Sequence, residues 1–587
     1  MEKKNSIRTV LGRKTLTILL YIFSLIFLSL VVESPPDPQV GKVPVNEFSA
    51  DRAMKHINQI AEKPHPTGTR ENEKVRQYIV GELDTLGLKT KVETYDGFLK
   101  TEYFKGNIQL SNVIGILEGT GEGKEKILMV SAHYDSVPTA PGANDNGVSV
   151  ASLLETARVL KSEAPLKNDI WFVFTDAEEP GMLGAEVFWK SKQHRENIGL
   201  VINFEARGSK GASMMYQTSN ENGVLIREFA KSAPKPSANS FMGDLYNILP
   251  NDTDLTVSMR EGIPGLNFAY IDGWEAYHTP MDSVENVNGS SLQSQGDNVL
   301  SMSKHFGSSD LSNLRSTNEV YFNFFGILIH YSEALVIPLT LLLGAIFSFL
   351  CFYSGRKGLI SVKGISLSLL SVGLTIIISA VVSLILCKVI FFIWADRMTL
   401  FNGATYDSML YAISFLIITL IVNVFISKYF RFKVTEIETV MSGMSLFYVL
   451  LLIVTFYLPG ASYLFAFPLI VHSIIIGFSL TRKNPIKIVN RTITIMLFAF
   501  FPVVLFTDVF HLLFIGLSPY LNISGVVLMS LILAIIEPIK SKLSDHRRIF
   551  NTIAVTIILV LLGTGWVNSN WTPNRPVYQD ENIILKE

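Results

Sequence analysis

Hydrophobic and polar positions divide this chain into two regions with different rhythms. From about Glu33 to Asn318, charges, Gly and Pro recur throughout and the apolar runs are short; from about Tyr321 to Val567, Leu, Ile, Val and Phe dominate. In the polar region, residues 126–132, 169–175 and 200–204 are apolar runs of strand length, and Gly147 to Lys161, between the first two, reads as a helix. Continuous apolar strands joined by helical crossovers imply a sheet buried on both faces. The expectation is an α/β domain built on a mostly parallel mixed sheet with helices covering both faces. In such sheets, sites form beyond the carboxyl ends of the strands.

The apolar region breaks into stretches near 331–353, 365–387, 409–427, 440–458, 461–480, 492–514, 519–537 and 551–568, and a further run covers Leu16 to Val32. Each approaches the roughly 20 residues a helix needs to cross about 30 Å of hydrocarbon, which gives about nine spans. The first follows Arg8, Arg13 and Lys14 and leads into the stiff Glu33-Ser-Pro-Pro-Asp-Pro, so it reads as an uncleaved anchor with a cytoplasmic N-terminus. Lys and Arg then concentrate in alternate loops: Arg356, Lys357 and Lys363; Lys428, Arg431 and Lys433; Arg482, Lys483, Lys487 and Arg491; Lys540, Lys542, Arg547 and Arg548. This alternation predicts a cytoplasmic N-terminus (1–14), an anchor (15–33), an extracytoplasmic domain (34–320), an all-α polytopic domain of about eight helices (321–568) and an extracytoplasmic tail (569–587). Within the spans, Glu333, Lys388, Asp508, His511 and Glu537 are ionisable, most of them near predicted ends where long side chains reach the interface.

Composition adds little but excludes some classes. With 48% hydrophobic residues over 587 positions and a mean hydropathy of +0.33, part of the chain belongs in lipid. A net charge of −1 gives no case for nucleic acid. Both cysteines, Cys351 and Cys387, fall in apolar stretches, so the polar domain has no disulfide and depends on its own core.

Candidate chemistry sits where the strands end. His133 and Asp135 are two apart after the first strand, so Asp135 can accept a hydrogen bond from the His133 ring and leave the other nitrogen for a metal. In Pro141-Gly-Ala-Asn-Asp145-Asn-Gly, Asp145 can be a helix N-cap, or it can offer one oxygen to each of two metals. Glu178 and Glu179 diverge on an extended segment, so one can bind metal while the other faces substrate as a base; an acidic solvent loop is the alternative. Glu205 ends the next strand, and His278 comes much later. Two His, one Asp and three Glu at strand ends suit zinc. The remaining histidines, among them His56, His65, His194 and His305, read as structural.

The order His133-x-Asp135, Gly-Ala-Asn-Asp145-Asn, Glu178-Glu179, Glu205 and His278-Thr-Pro-x-Asp282 resembles the M28 metallopeptidases, and within them the vacuolar membrane protease and endoplasmic-reticulum metallopeptidase branch. Lys63-Pro-His-Pro-Thr-Gly-Thr and Asn203-Phe-Glu205-Ala also resemble that branch. The likeness covers about Phe48 to Gly307; beyond that it rests on layout. It implies two zinc ions per chain, with Asp145 bridging, His133 and Glu205 on one ion and Glu179 and His278 on the other. Glu178 would be the general base, Asp135 the partner of His133, and the 145–146 peptide bond cis. Many members have Asp where this chain has Glu205. Tyr277 and Tyr246 are candidate donors to a developing oxyanion, with plain packing as the alternative. The implied function is a membrane-bound zinc exopeptidase, an aminopeptidase, acting on peptides. Other readings are a glutaminyl-cyclase-like enzyme, a non-catalytic receptor, or a transporter with an accessory ectodomain. Lys- and Ile-rich composition and short loops point to a bacterial cell membrane; in a eukaryote the same topology would place the domain in a vacuolar or endoplasmic-reticulum lumen. Oligomeric state is not legible.

Overall fold

The structure is a computed structural model describing residues 13–100, 105–121, 126–249, 251–398, 408–430, 432–516, 523–536 and 547–571. Most of the expected cytoplasmic N-terminus, the residues Glu537, Lys540 and Lys542, and the tail beyond 571 lie outside the described residues. The chain divides into two compact units: a polar one, Glu33–Glu333, and an apolar one comprising residues up to Val32 together with those from Ala334.

The polar unit is built on a seven-stranded sheet. Its strands are β1 (Lys89–Lys100), β2 (Lys105–Leu117), β3 (Ile127–His133), β4 (Ile170–Thr175), β5 (Ile198–Ala206), β6 (Met214–Thr218) and β7 (Gly265–Tyr270), in the order β1-β2-β4-β3-β5-β7-β6. The centre β4-β3-β5-β7 is parallel, while β1, β2 and β6 pair antiparallel. The strands alternate between two cores: Leu128, Val130, Phe172, Phe174, Leu200 and Ile202 face one, and Met129, Val173 and Val201 face the other. Helices Ser149–Lys161 and Gly289–Ser308 supply Leu153, Leu154, Val299 and Met302 to the first core, and helices Leu183–Phe188 and Asp254–Arg260 supply Phe188 and Leu255 to the second. The expected doubly covered α/β sheet is therefore present, with antiparallel edges that the apolar runs alone do not announce.

A hairpin, β8 (Glu319–Phe324) with β9 (Ile327–Ser332), carries the polar unit to Glu333, past the expected boundary at 320. Val320, Tyr321 and Phe322 are all buried, and a short apolar run of this kind reads equally as the start of a span.

In the apolar unit, among the described residues, seven helices are long and apolar enough to cross a membrane: Lys14–Glu33, Glu333–Arg356, Val362–Ile390, Met409–Phe430, Glu436–Tyr457, Pro459–Leu480 and Thr492–Phe514. Two shorter apolar helices, Ile523–Ile535 and Ala554–Gly565, stand where the last two expected spans fall. Lys388 lies on helix Val362–Met398, and Asp508 and His511 lie on Thr492–Gly516.

Candidate metal centre

The five residues assigned as metal ligands converge. His133 ends β3, and Glu205 lies near the end of β5, the strand beside it. Glu179 follows β4, and His278 follows β7 after a short turn. Asp145 lies between β3 and helix Ser149–Lys161. It does not cap that helix, whose N-cap is Val148. Its backbone is extended instead (φ −104°, ψ 89°) and the 145–146 peptide bond is cis. Gly142 permits this loop: its φ is +72°, and a Cβ there would stand 2.8 Å from the Asp145 carbonyl oxygen and from Ser136 Cβ.

The Asp145 carboxylate faces both ways. Oδ1 lies 3.2 Å from His133 Nε2, and Oδ2 lies 3.3 Å from His278 Nε2. His133 Nε2 is also 3.4 Å from Glu205 Oε2, and His278 Nε2 is 3.1 Å from Glu179 Oε2. Two donor sets result, His133/Asp145/Glu205 and Asp145/Glu179/His278, each with its donor atoms within 4.8 Å of one another. Imidazole nitrogens and carboxylate oxygens are a zinc-type donor set. Glu179 Oε1 is buried without a hydrogen-bond donor among the described residues, so it is left for a cation.

Electrostatics agree with that geometry. Burial works to raise the Asp145 pKa, but hydrogen bonds from His133 and His278 hold it at about 2. Burial alone would lower that of His278; the Glu179 and Asp145 carboxylates outweigh it and lift it to about 10. Burial pushes the Glu178 carboxyl well above the usual range, the charges of Glu205 and Glu179 adding to it against the pull of His133. The cluster thus draws positive charge between its carboxylates.

A second layer fixes the first. His133 Nδ1 lies 3.0 Å from the Asp135 backbone oxygen and 3.4 Å from Asp135 Oδ1, so main chain as well as carboxylate orients the ring. The Asp135 carboxylate also accepts the backbone N–H groups of Glu178 (3.0 Å) and Glu179 (3.3 Å). Asp282 accepts from Asn144 N–H (2.7 Å), the Asn144 side chain (2.9 Å) and Asp145 N–H (3.1 Å). Asn203 and Asn146 donate to the two oxygens of Glu205 at 2.9 and 3.2 Å. His278 itself has φ +57°, a left-handed conformation that costs a non-glycine residue and gathers at functional sites.

Of the two tyrosines, Tyr277 stacks on the His278 ring at 3.7 Å and 19°, and Tyr246 packs edge-on against Tyr216. Burial, and then nearby acids, raise the pKa of both, so each keeps its hydroxyl proton. Among the other histidines, His56 meets the Tyr78 hydroxyl, His65 the Lys63 carbonyl, His194 the Phe188 carbonyl and His305 the Glu228 carboxylate.

Three residues near the site carry no signal in the sequence. Asp176 gathers Thr67, Asn72 and the Ser111 N–H. Asp254 accepts from the Thr175 hydroxyl, and burial raises its pKa to about 7. Arg207 lies with its guanidinium 5.7 Å from the Tyr277 ring centroid.

Sequence comparison finds relatives over the polar unit. Residues 112–303 match peptidase family M28. Endoplasmic reticulum metallopeptidase 1 of Mus musculus is 30% identical over 305 residues, covering 48% of this chain and 34% of that protein. A vacuolar membrane protease of Schizosaccharomyces japonicus is 27% identical over 334 residues, covering 54% and 38%. The chain thus spans little more than a third of the length of these curated relatives. Among solved structures, an aminopeptidase from Aneurinibacillus sp. strain AM-1 superposes with a TM-score of 0.38 at 16% identity, over 47% of this chain and 98% of that one. Residues 112–303 are thus similar to peptidase family M28, and about half of the chain is similar to the endoplasmic reticulum metallopeptidases and the vacuolar membrane proteases.

Proposed function

We propose that the polar unit is a zinc-dependent exopeptidase, an aminopeptidase, holding two zinc ions. His133 and Glu205 would hold one, Glu179 and His278 the other, with Asp145 shared. The observation that carries this reading is the Asp145 carboxylate, whose two oxygens face two separate donor sets. A bound pair of such cations supplies polarisation of a carbonyl and a lowered pKa for water.

This chain's own residues do the rest. Glu178, held by the Asp135 carboxylate through its backbone N–H, takes the proton of the attacking water and returns it to the leaving amine. Tyr277 and Tyr246, both protonated, are the candidate donors to the oxyanion. Asp282 fixes Asp145 through its backbone N–H. The peptide is the substrate and the bilayer the support, with the polar unit on the non-cytoplasmic side. The names of the relatives speak for an endoplasmic-reticulum or vacuolar membrane and lend nothing to a bacterial cell membrane.

Metal analysis of the purified full chain, alongside cleavage of an aminoacyl-chromophore panel with and without chelator, tests the proposal. Two zinc ions per chain and chelator-sensitive, zinc-restored cleavage are expected. One ion per chain, or cleavage indifferent to chelator, would overturn it.

A further inference from the structure

We infer that Arg207 reads the free carboxylate of the substrate, which makes dipeptides the preferred substrate class. This rests on the exopeptidase reading above and deepens it.

Glu205 and Arg207 are two residues apart at the end of β5, where the Arg207 N–H still bonds to the Tyr270 carbonyl of β7 at 3.1 Å. Side chains two apart on a strand face the same way, so Arg207 emerges on the side of Glu205. Its guanidinium lies over Tyr277, and Tyr277 lies on His278. Arg207 therefore stands one ring beyond the donor sets.

Its hydrogen-bonding capacity is not used internally. The guanidinium makes no hydrogen bond or ion pair with a described residue, although Arg207 is only partly exposed. The nearby carboxylates are engaged elsewhere: Asp145 and Glu179 with the histidines, Glu205 with Asn203 and Asn146. Five N–H donors in a planar fork, stacked on an aromatic face, match a carboxylate in two parallel hydrogen bonds. In a peptide, successive residues are about 3.8 Å apart. A carbonyl seated between the donor sets puts the group one residue further on beside Tyr277, within the sweep of Arg207. When the residue after the scissile bond is the last, that group is the α-carboxylate. A dipeptide satisfies this requirement and the aminopeptidase reading together.

The test uses the full-length, zinc-loaded chain in nanodiscs. Leu-Phe and Leu-Phe-amide are compared as substrates for wild type, Arg207→Gln and Arg207→Lys. Wild type is expected to favour the acid at least tenfold in kcat/KM. Arg207→Gln should lose at least tenfold more on the acid than on the amide, through KM, and Arg207→Lys should keep part of the preference. Equal use of acid and amide by wild type, or an equal loss on both in Arg207→Gln, overturns the inference and reduces Arg207 to packing on Tyr277. Calorimetry with a reduced-amide Leu-Phe isostere, as acid and as amide, separates this from failure of the exopeptidase reading. Absent cleavage with tighter binding of the acid, lost in Arg207→Gln, sinks only that reading. Equal binding of acid and amide sinks the inference whatever the activity.

Discussion

The two units of this chain treat buried polar atoms in opposite ways. In the polar unit, ionisable groups from four strand ends and one loop are driven together, and backbone N–H groups and amide side chains are spent on aiming them. In the apolar unit, the buried polar side chains are mostly hydroxyls, and several turn back on their own helix, as Thr375 does to the Ser371 carbonyl, Thr419 to Phe415 and Ser530 to Val526. Among the described residues, the acidic, basic and histidine side chains buried there are Glu438 and His472, and neither joins a metal-type cluster. A hydroxyl that bonds its own helix asks nothing of its neighbours; a carboxylate facing two imidazoles asks for a cation. The difference favours the polar unit over the bundle as the seat of the proposed chemistry.

The largest expected effect breaks this comparison at its centre. Glu178→Gln should lower kcat by about 10³-fold or more, within the range assigned to a general base, while zinc content stays as in wild type. Retained activity would remove Glu178 from the chemistry and leave the acidic cluster as a metal store. Removing a buried leucine tests whether the two units are packed by the same rules. Leu153 is fully buried in the polar core, and Leu153→Ala should cost about 2–5 kcal/mol. Leu341, 64% exposed on an apolar helix, should cost about 0.5 kcal/mol or less when cut to Ala. Thermal unfolding of the full chain in detergent reads both, and equal losses would show that the bundle face carrying Leu341 is covered rather than bathed in lipid.

Three of the candidate ligands, His133, Glu179 and Glu205, were legible because they stand at or just after the end of an apolar strand. His133 closes a fully buried run and Glu205 lies next to the end of another, so a polar side chain there has to be met by a partner or an ion. Asp145 was open to two readings, and only the backbone path, with the helix starting at Ser149, removes capping as one of them. Asp254 was invisible because Thr253-Asp-Leu-Thr looks like any helix start; its contact with Thr175 comes from a distant strand. Arg207 was invisible for the same reason, since its neighbour Tyr277 is remote in sequence. The expected boundary at 320 falls inside β8 because Val320, Tyr321 and Phe322 form a short, continuously buried apolar run, which reads equally as the start of a span.

Smaller effects probe the supports. Asp135→Asn leaves one acceptor oxygen for two backbone N–H groups, and should weaken zinc retention or turnover about 10–100-fold. In the apolar unit, the Glu438 carboxylate accepts from the Thr435 N–H, the Ser361 N–H and the Ser361 hydroxyl, at 2.8, 2.9 and 2.7 Å, pinning the start of helix Glu436–Tyr457 to the loop before Val362. Glu438→Ala strips those donors and should cost about 1–3 kcal/mol without changing zinc content. A fall in zinc would show that the two units are not energetically separate.

The smallest expected effect concerns Glu93 on β1, where charge is used for stability alone. Burial works to raise its pKa, but hydrogen bonds from His194, Lys91 and Tyr95 outweigh it and hold it at about 2, below the ordinary 4.5. A depressed folded pKa means the stabilisation is fully present above 4.5 and lost as pH falls from there towards 2. The Glu93 side chain is only 10% exposed, but its Lys91 partner is 56% exposed, and screening at that end keeps the contribution to about 1 kcal/mol. Hydrogen exchange of the paired β1 and β2 segments should therefore be faster in Glu93→Gln than in wild type at pH 7, with the gap closing as pH is taken from 5 to about 3. A gap of the same size at both ends of that range would assign the effect to packing around Tyr95, and would leave the aimed carboxylates of the candidate metal centre as the feature that separates this unit from the bundle.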